Sequence, residues 1–273
     1  MKRIALLLLL ALTACGKSPP EPWLGYAEGE DAFIAAPAAG WVAKLEVVRG
    51  QEVKPGDLLF ALDDTQQRAA RDQAAANLSN IRAQMNQNEA TLEYAAKDLA
   101  RQTKLVHANA GTQATLDLSR SNYDQGTARI SEIAAQEKQA EASLADAEYQ
   151  LSQRRVVSLV RGRIEDIYFR AGEYVPPSTP VISVLPPQNV FVRFFVPESQ
   201  FGHVKIGQRV AISCDGCAKN MTAKITFIAQ QEEFTPPVIF SIGNREKLVF
   251  KLEARAPGGM KINPGEPVEV RPL

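Results

Sequence analysis

One short β motif occurs twice in this chain, at a constant offset of 122 residues. Residues 36–62 read APAAGWVAKLEVVRGQEVKPGDLLFAL, and residues 160–185 read VRGRIEDIYFRAGEYVPPSTPVISVL. Superimposed, Gly40 falls on Gly162, Gly50 on Gly172, Val53 on Val175 and Pro55 on Pro177. Val42 meets Ile164 and Leu45 meets Ile167, so the apolar pattern repeats as well. Such internal similarity marks two copies of one small β unit. Neither copy has enough apolar residues for a core of its own, so the two are expected to pack together as one domain. Whatever lies between them must leave that domain and come back.

The intervening segment carries helical heptads. In its first arm Leu78, Met85, Leu92, Leu99 and Val106 recur every seventh residue. Ile81 and Ala95 take the companion seam position, with Asn88 and Gln102 as polar interruptions. In the second arm Leu116, Tyr123, Ile130, Leu144 and Leu151 keep the spacing, broken by Glu137, and Ile133, Ala140 and Ala147 fill the second seam. Sustained heptads predict a coiled coil. Between the arms, His107-Ala108-Asn109-Ala110-Gly111-Thr112 combines a helix stop with a Thr able to cap the next helix. Asp63-Asp64-Thr65 is expected to cap the first helix. Two antiparallel helices of about 45 residues make a rod roughly 65–70 Å long. A rod of that length is a spacer or a reach element, not a catalytic core.

The N-terminus sets the expected compartment. Lys2 and Arg3 precede an apolar run from Ile4 to Leu12, then Thr13, Ala14 and Cys15. The run is too short to span a bilayer and reads as a secretory signal. Leu12-Thr13-Ala14-Cys15 resembles the bacterial lipobox, in which the cysteine (here Cys15) is lipidated. Residues 16–22 then read as a polar, Pro-rich tether. The mature chain is expected in the periplasm, held by lipid, with the inner membrane favoured.

The 31 basic residues balance the 31 acidic ones, which removes the electrostatic case for nucleic acid binding. After Leu185 come NVFVRFFVPE, QRVAISC, MTAKITFIA, KLVFKLEAR and PVEVRPL, short alternating runs broken by Pro, Gly and Asn. They predict a small antiparallel barrel or sandwich, and Tyr26 to Ile34 offers one more strand.

This layout resembles the HlyD-type periplasmic adaptor, or membrane fusion protein, family. The split repeat is similar to that family's biotinyl-lipoyl-like domain divided by an α-hairpin. The stretch from Phe227 to Arg255 and the closing INPGEPVEVRPL are similar to the barrel of adaptors serving ABC-type exporters. The resemblance implies an elongated α+β multidomain fold: a long antiparallel coiled-coil hairpin inserted in a split lipoyl-like β sandwich, followed by a small antiparallel β-barrel. The divisions are a lipoprotein signal peptide at 1–14, lipidated Cys15 and tether at 15–30, a first lipoyl-like half at 31–62, the hairpin at 63–157, a second half at 158–186 and the barrel at 187–273. Adaptors that dock on TolC-type channels carry Arg, then Leu four residues on, then Ser seven further. Those places here hold Arg101, Leu105 and Thr112, with Gly111 where the family more often has Ile or Val. Arg101 and Leu105 share one helix face, and the guanidinium fork suits carbonyls or carboxylates on a partner.

No cofactor is expected. Lipoyl carriers attach theirs to a Lys at the turn joining the halves, and that turn is replaced here by the helical insert after Asp64. Lys44 and Lys54 lie elsewhere in the repeat. Cys214-Asp215-Gly216-Cys217 frames a strong hairpin signal with two cysteines. Residues flanking such a turn sit about 5.5 Å apart, within disulfide range. A disulfide staple, a free dithiol and a metal site are all open readings. Neither His107 nor His203 has a partner in sequence, and no phosphate loop, nucleophile elbow or zinc helix motif occurs. The expected role is non-catalytic: an adaptor, six copies to a ring by resemblance, between an inner-membrane exporter of ABC type and a TolC-like outer-membrane channel. Its rivals are a structural coiled-coil envelope lipoprotein, an adaptor for a non-ABC pump, and a substrate-binding lipoprotein, for which the chain is too rod-like.

Overall fold

The computed structural model describes residues 21–218, 221–234 and 248–273. The expected signal peptide, Cys15 and the first part of the tether lie outside them. The described chain forms a split β sandwich, a helical stalk inserted in it, and a β-barrel.

The sandwich is built by exchange between the two sequence repeats. Its first sheet runs β2 (Ala32–Ala35), β9 (Pro180–Leu185), β7 (Gly162–Ile167), β4 (Glu52–Val53). The second runs β6 (Arg155–Val157), β5 (Leu58–Leu62), β3 (Gly40–Leu45), β8 (Tyr174–Val175). Each repeat thus lends one short strand to the other's sheet: β4 pairs with β7, and β8 pairs with β3. The hydrogen bonds obey the same offset as the sequence. Gly50 N donates to Ile164 O, and Gly172 N to Val42 O, both at 2.8 Å. Ile164 N donates to Gln51 O as Val42 N donates to Glu173 O, again at 2.8 Å. Both repeats therefore need the left-handed glycines, Gly50 at φ 83° and Gly172 at φ 90°. Val42, Val53, Leu59, Phe60, Ile164, Val175, Val181 and Ile182 from both halves make one buried core. Two half-units too small to bury apolar surface separately do so jointly.

The stalk consists of α1 (Thr65–His107) and α2 (Gln113–Ser152). The expected seam residues face inward: Leu78, Ile133, Ala140 and Ala147 are buried and the other seam positions are half-buried. Small Ala140 and Ala147 let the helices approach, and at Gly126 an added Cβ would lie 3.0 Å from Leu92 Cδ1. The polar seam residue Glu137 is answered across the stalk by Arg82, whose Nε reaches Glu137 and whose Nη2 reaches Glu141, each at 2.7 Å. The helices pack on each other and make no more than marginal contact with any described strand. The start of α1 differs from expectation. Asp64 occupies the cap position without a capping bond and instead pairs with Arg68, while Asp63 accepts from both the backbone N and the hydroxyl of Thr65. The stalk also ends earlier than residue 157, because Arg155–Val157 returns to the sandwich as β6 and pairs with β5.

The barrel closes in the order β1 (Trp23–Gly29), β10 (Val190–Pro197), β13 (Leu248–Arg255), β12 (Met221–Phe234), β11 (Arg209–Ser213), β14 (Pro267–Pro272). A short helix, α3 (Glu198–Phe201), follows β10. Residues 23–29, expected as tether, are the strand that shuts the ring. β1 bonds β10 on one side and β14 on the other, and buries Trp23 and Ala27. Its alternation of buried and half-exposed positions, hidden among Pro and Gly neighbours, is the period-2 signal of a barrel strand. The strand expected between Tyr26 and Ile34 is really two, because β2 starts at Ala32 and pairs with β9 of the sandwich. The chain thus enters through the barrel before building the sandwich.

Candidate functional site: the stalk tip

At the tip α1 ends at His107, Asn109 turns left-handed at φ 59°, and α2 begins after Thr112. Asn tolerates that conformation better than other non-glycine residues. The Thr112 hydroxyl accepts the backbone N–H of Thr115 at 3.2 Å, while the Thr115 hydroxyl donates to Thr112 O at 2.8 Å. Thr112 thus caps its own helix, as its place in the sequence suggests. Gly111 is packed rather than loose. A Cβ there would sit 3.1 Å from Leu105 Cβ and 3.2 Å from the Val106 backbone N, so a larger side chain would need its neighbours to shift.

Arg101 and Leu105 lie one turn apart near the end of α1, and both are exposed: the Arg101 side chain at 58 % and Leu105 at 38 %. Arg101 is not free. Its Nη2 donates to Asp98, and Asp98 in turn accepts from Ser119 Oγ of α2 at 2.7 Å. Ser119 is buried. The Ser119 hydroxyl, then Arg101, hold the Asp98 carboxyl below the usual carboxylate range. The reciprocal effect, chiefly from Asp98, raises the Arg101 guanidinium further. Asp98 therefore ties the docking candidate to both helices. Sequence reading passed over Asp98 and Ser119, since the bond between them spans the hairpin. It also passed over Tyr94 and Leu118, exposed at 69 % and 62 %. Tyr94 is seven residues before Arg101 on α1 and adds to its electrostatic surroundings, so a heptad stripe of Tyr94, Arg101 and Leu105 faces outward on that helix.

Lys44 and the two cysteines, also singled out in sequence, lie in the sandwich and the barrel. Lys44, in β3, pairs with Glu46 at 2.8 Å. Cys214 and Cys217 face each other across the Asp215-Gly216 turn, with Cα atoms 5.3 Å apart, within disulfide range, and Gly216 at φ 84°. No helix among the described residues is long and apolar enough to cross a membrane.

A two-helix stalk with a polar, cation-bearing tip, mounted on a sandwich split between two repeats and followed by a barrel, defines the architecture of a membrane fusion protein. Comparison with known proteins agrees. Residues 77–154 match the family model for the RND MFP alpha-helical hairpin domain. A UPF0194 membrane protein of Acidithiobacillus ferridurans is 26 % identical over 256 residues, with 80 % of this chain and 76 % of that protein aligned. The macrolide export protein MacA of Escherichia coli O157:H7 is 28 % identical over 179 residues, covering 64 % of this chain and 48 % of its own length. The chain thus spans about half the length of that exporter protein. In structure it is similar to MacA from Actinobacillus actinomycetemcomitans, with TM-score 0.69, 22 % identity, and 93 % of this chain and 79 % of that one covered. In the sequence of its hairpin and in its fold the chain is thus similar to the HlyD-type periplasmic adaptor, or membrane fusion protein, family.

Proposed function

We propose that this protein is the adaptor subunit of a tripartite efflux or secretion system, linking an inner-membrane exporter to a TolC-like outer-membrane channel. The observation that carries the reading is mechanical. Both ends of the stalk meet at one place, where Leu62 N donates to Arg154 O at 2.8 Å, so a rod of about 60 Å leaves the sandwich from a single root. Such a lever presents Arg101 and Leu105 at a distance from the barrel and serves no chemistry of its own. An ABC-type exporter is the favoured inner-membrane partner, supported by the resemblance of the stretch from Phe227 to Arg255 to the barrel of adaptors serving such exporters. Lipid on Cys15 would hold the base at the inner membrane, and six copies would form the ring that a channel of this kind receives. A non-ABC pump is the next reading, and a structural envelope lipoprotein without any transporter is the third.

The test is Arg101→Asp in cells that depend on the exporter. Export should be abolished while the variant still folds and reaches the membrane. Crosslinkers placed at Leu105 and on the barrel should capture a channel and an exporter respectively. Normal export by the variant would remove the tip from the mechanism, and capture of neither partner would favour the structural lipoprotein.

A further inference from the structure

The Cys214/Cys217 hairpin has a third partner that its sequence neighbourhood does not show. Glu266, in the turn before β14, brings Oε1 to 3.9 Å from Cys217 Sγ, and one donor atom from each of the three residues lies within 4.8 Å of the others. The carboxylate is oriented. Its other oxygen accepts the Asn263 backbone N–H at 3.3 Å, and the turn is pinned to β1 by Ala27 N donating to Glu266 O at 2.9 Å and Gly265 N donating to Ala27 O at 2.8 Å. All three residues are half-buried, and both cysteines pack against the barrel core. Next to them a cavity of about 920 Å³ is lined by Tyr26, Cys214, Asp215, Pro267 and Glu269.

We propose that the reduced form of this hairpin, with Glu266, is a binding site for a borderline-soft d10 divalent cation such as zinc, and that the disulfide form closes it. Two cysteines separated by two residues on a tight turn are the usual half of a tetrahedral thiolate site, and carboxylate oxygen is an accepted third donor. Ligand bonds of roughly 2.3 Å to sulfur and 2.0 Å to oxygen need donors about 3.5–4 Å apart, which the Cys217–Glu266 separation already meets. A water would complete a four-coordinate site. The hydrogen bond from Asn263 supplies the outer support that fixes a ligating carboxylate. Opening the site requires a dithiol reductant. It delivers two electrons and two protons to the Cys214–Cys217 bond and itself closes to a disulfide. Metal binding then releases the two thiol protons, because thiolates are the ligands. Oxidation of the pair returns the electrons to an acceptor of the disulfide-forming kind and expels the cation. The barrel would thereby sense thiol redox state and metal together, independently of what the stalk tip binds.

The experiment uses the full mature chain, reduced with a phosphine or left oxidised, titrated with Cd2+ as a spectroscopic stand-in and then with Zn2+ in competition. The reduced protein should bind one equivalent with a thiolate-to-metal charge-transfer band in the ultraviolet, and the oxidised protein none. Replacing both cysteines with Ser should remove the band, and Glu266→Gln should weaken binding by at least about tenfold. Emission of Trp23, inside the barrel wall, read in a Trp41→Phe background, verifies that the barrel of each variant is folded. Equal binding by the oxidised protein or by the double Ser variant would overturn the site. Unchanged affinity in folded Glu266→Gln would overturn the role of the carboxylate, and one metal shared by two chains would replace the site with an intermolecular one.

Discussion

Val53 stands opposite Gly162 in one sheet of the sandwich, and its counterpart one repeat later, Val175, stands opposite Gly40 in the other. The two repeats therefore pair reciprocally, about an internal pseudo-two-fold, and each glycine is the point where a borrowed strand crosses its host. Equivalence in sequence and pairing does not extend to the space around them. A Cβ on Gly162 would lie 2.5 Å from Leu185 O and 2.7 Å from Leu185 C, which are backbone, whereas one on Gly40 would meet Arg154 Nη1 at 2.8 Å, the end of a flexible side chain.

Gly162→Ala should accordingly destabilise the sandwich by about 2–3 kcal/mol, the range of overpacking that backbone cannot relieve. Gly40→Ala should cost no more than about 1 kcal/mol, since Arg154 can move aside. Denaturant unfolding followed by Trp41 emission in a Trp23→Phe background isolates the sandwich signal, and equal losses would contradict the asymmetry.

Ser178 occupies a left-handed conformation, φ 60°, at the place where the first repeat has Gly56 at φ 93°. The backbone bonds match too, Ser178 N donating to Ala36 O as Gly56 N donates to Ser158 O, each at 2.8 Å. A side chain in that region costs about 1–2 kcal/mol, partly offset by the about 0.4–1 kcal/mol of unfolded-state entropy that Gly would add. Ser178→Gly should raise stability by roughly 0.5–1 kcal/mol on those figures, and Gly56→Ala should lower it by a similar amount, measured in the same unfolding assay.

Thr112→Ala should cost about 1 kcal/mol of local stability, because the Thr115 N–H loses its capping oxygen. Thr112→Ser should be close to the parent. Hydrogen exchange at the Thr115 amide is the direct readout: faster in the Ala variant, near parental in the Ser variant. If tip docking used this hydroxyl directly, the Ser variant would keep the cap and also keep docking, so channel binding is measured alongside.

Asp98 should titrate below an ordinary carboxyl, because Ser119 and then Arg101 favour its charged form. A carboxyl lowered on folding contributes stability that is fully present above its unfolded pKa and is lost as pH falls through the folded value. The tip should therefore be tightest at neutral pH and loosen only in strong acid, below the ordinary aspartate range. Carboxyl-carbon NMR on Asp98 reads the shift. Ser119→Ala should move the titration upward toward the ordinary value, and an unmoved midpoint would show that Arg101 alone sets it.

Much of this molecule was legible along the chain. Gly40/Gly162, Gly50/Gly172 and the heptads from Leu78 to Leu151 announce a split β unit and a two-helix insert, because both signals are local periodicities set by backbone geometry. The match of Arg101 and Leu105 to an exposed face follows from the same spacing. Other relationships exist only in three dimensions. The exchange of β4 and β8 between sheets, the Asp98–Ser119 bond across the hairpin, the closure of the barrel by Trp23–Gly29 and the approach of Glu266 to Cys217 join residues distant in sequence. No pattern within either partner encodes such a pairing. Sequence alone decided which pieces would form, through turn chemistry and apolar period. Only tertiary packing decided which piece each one met, since burying two half-cores and closing a barrel edge are free energies that no segment can realise by itself.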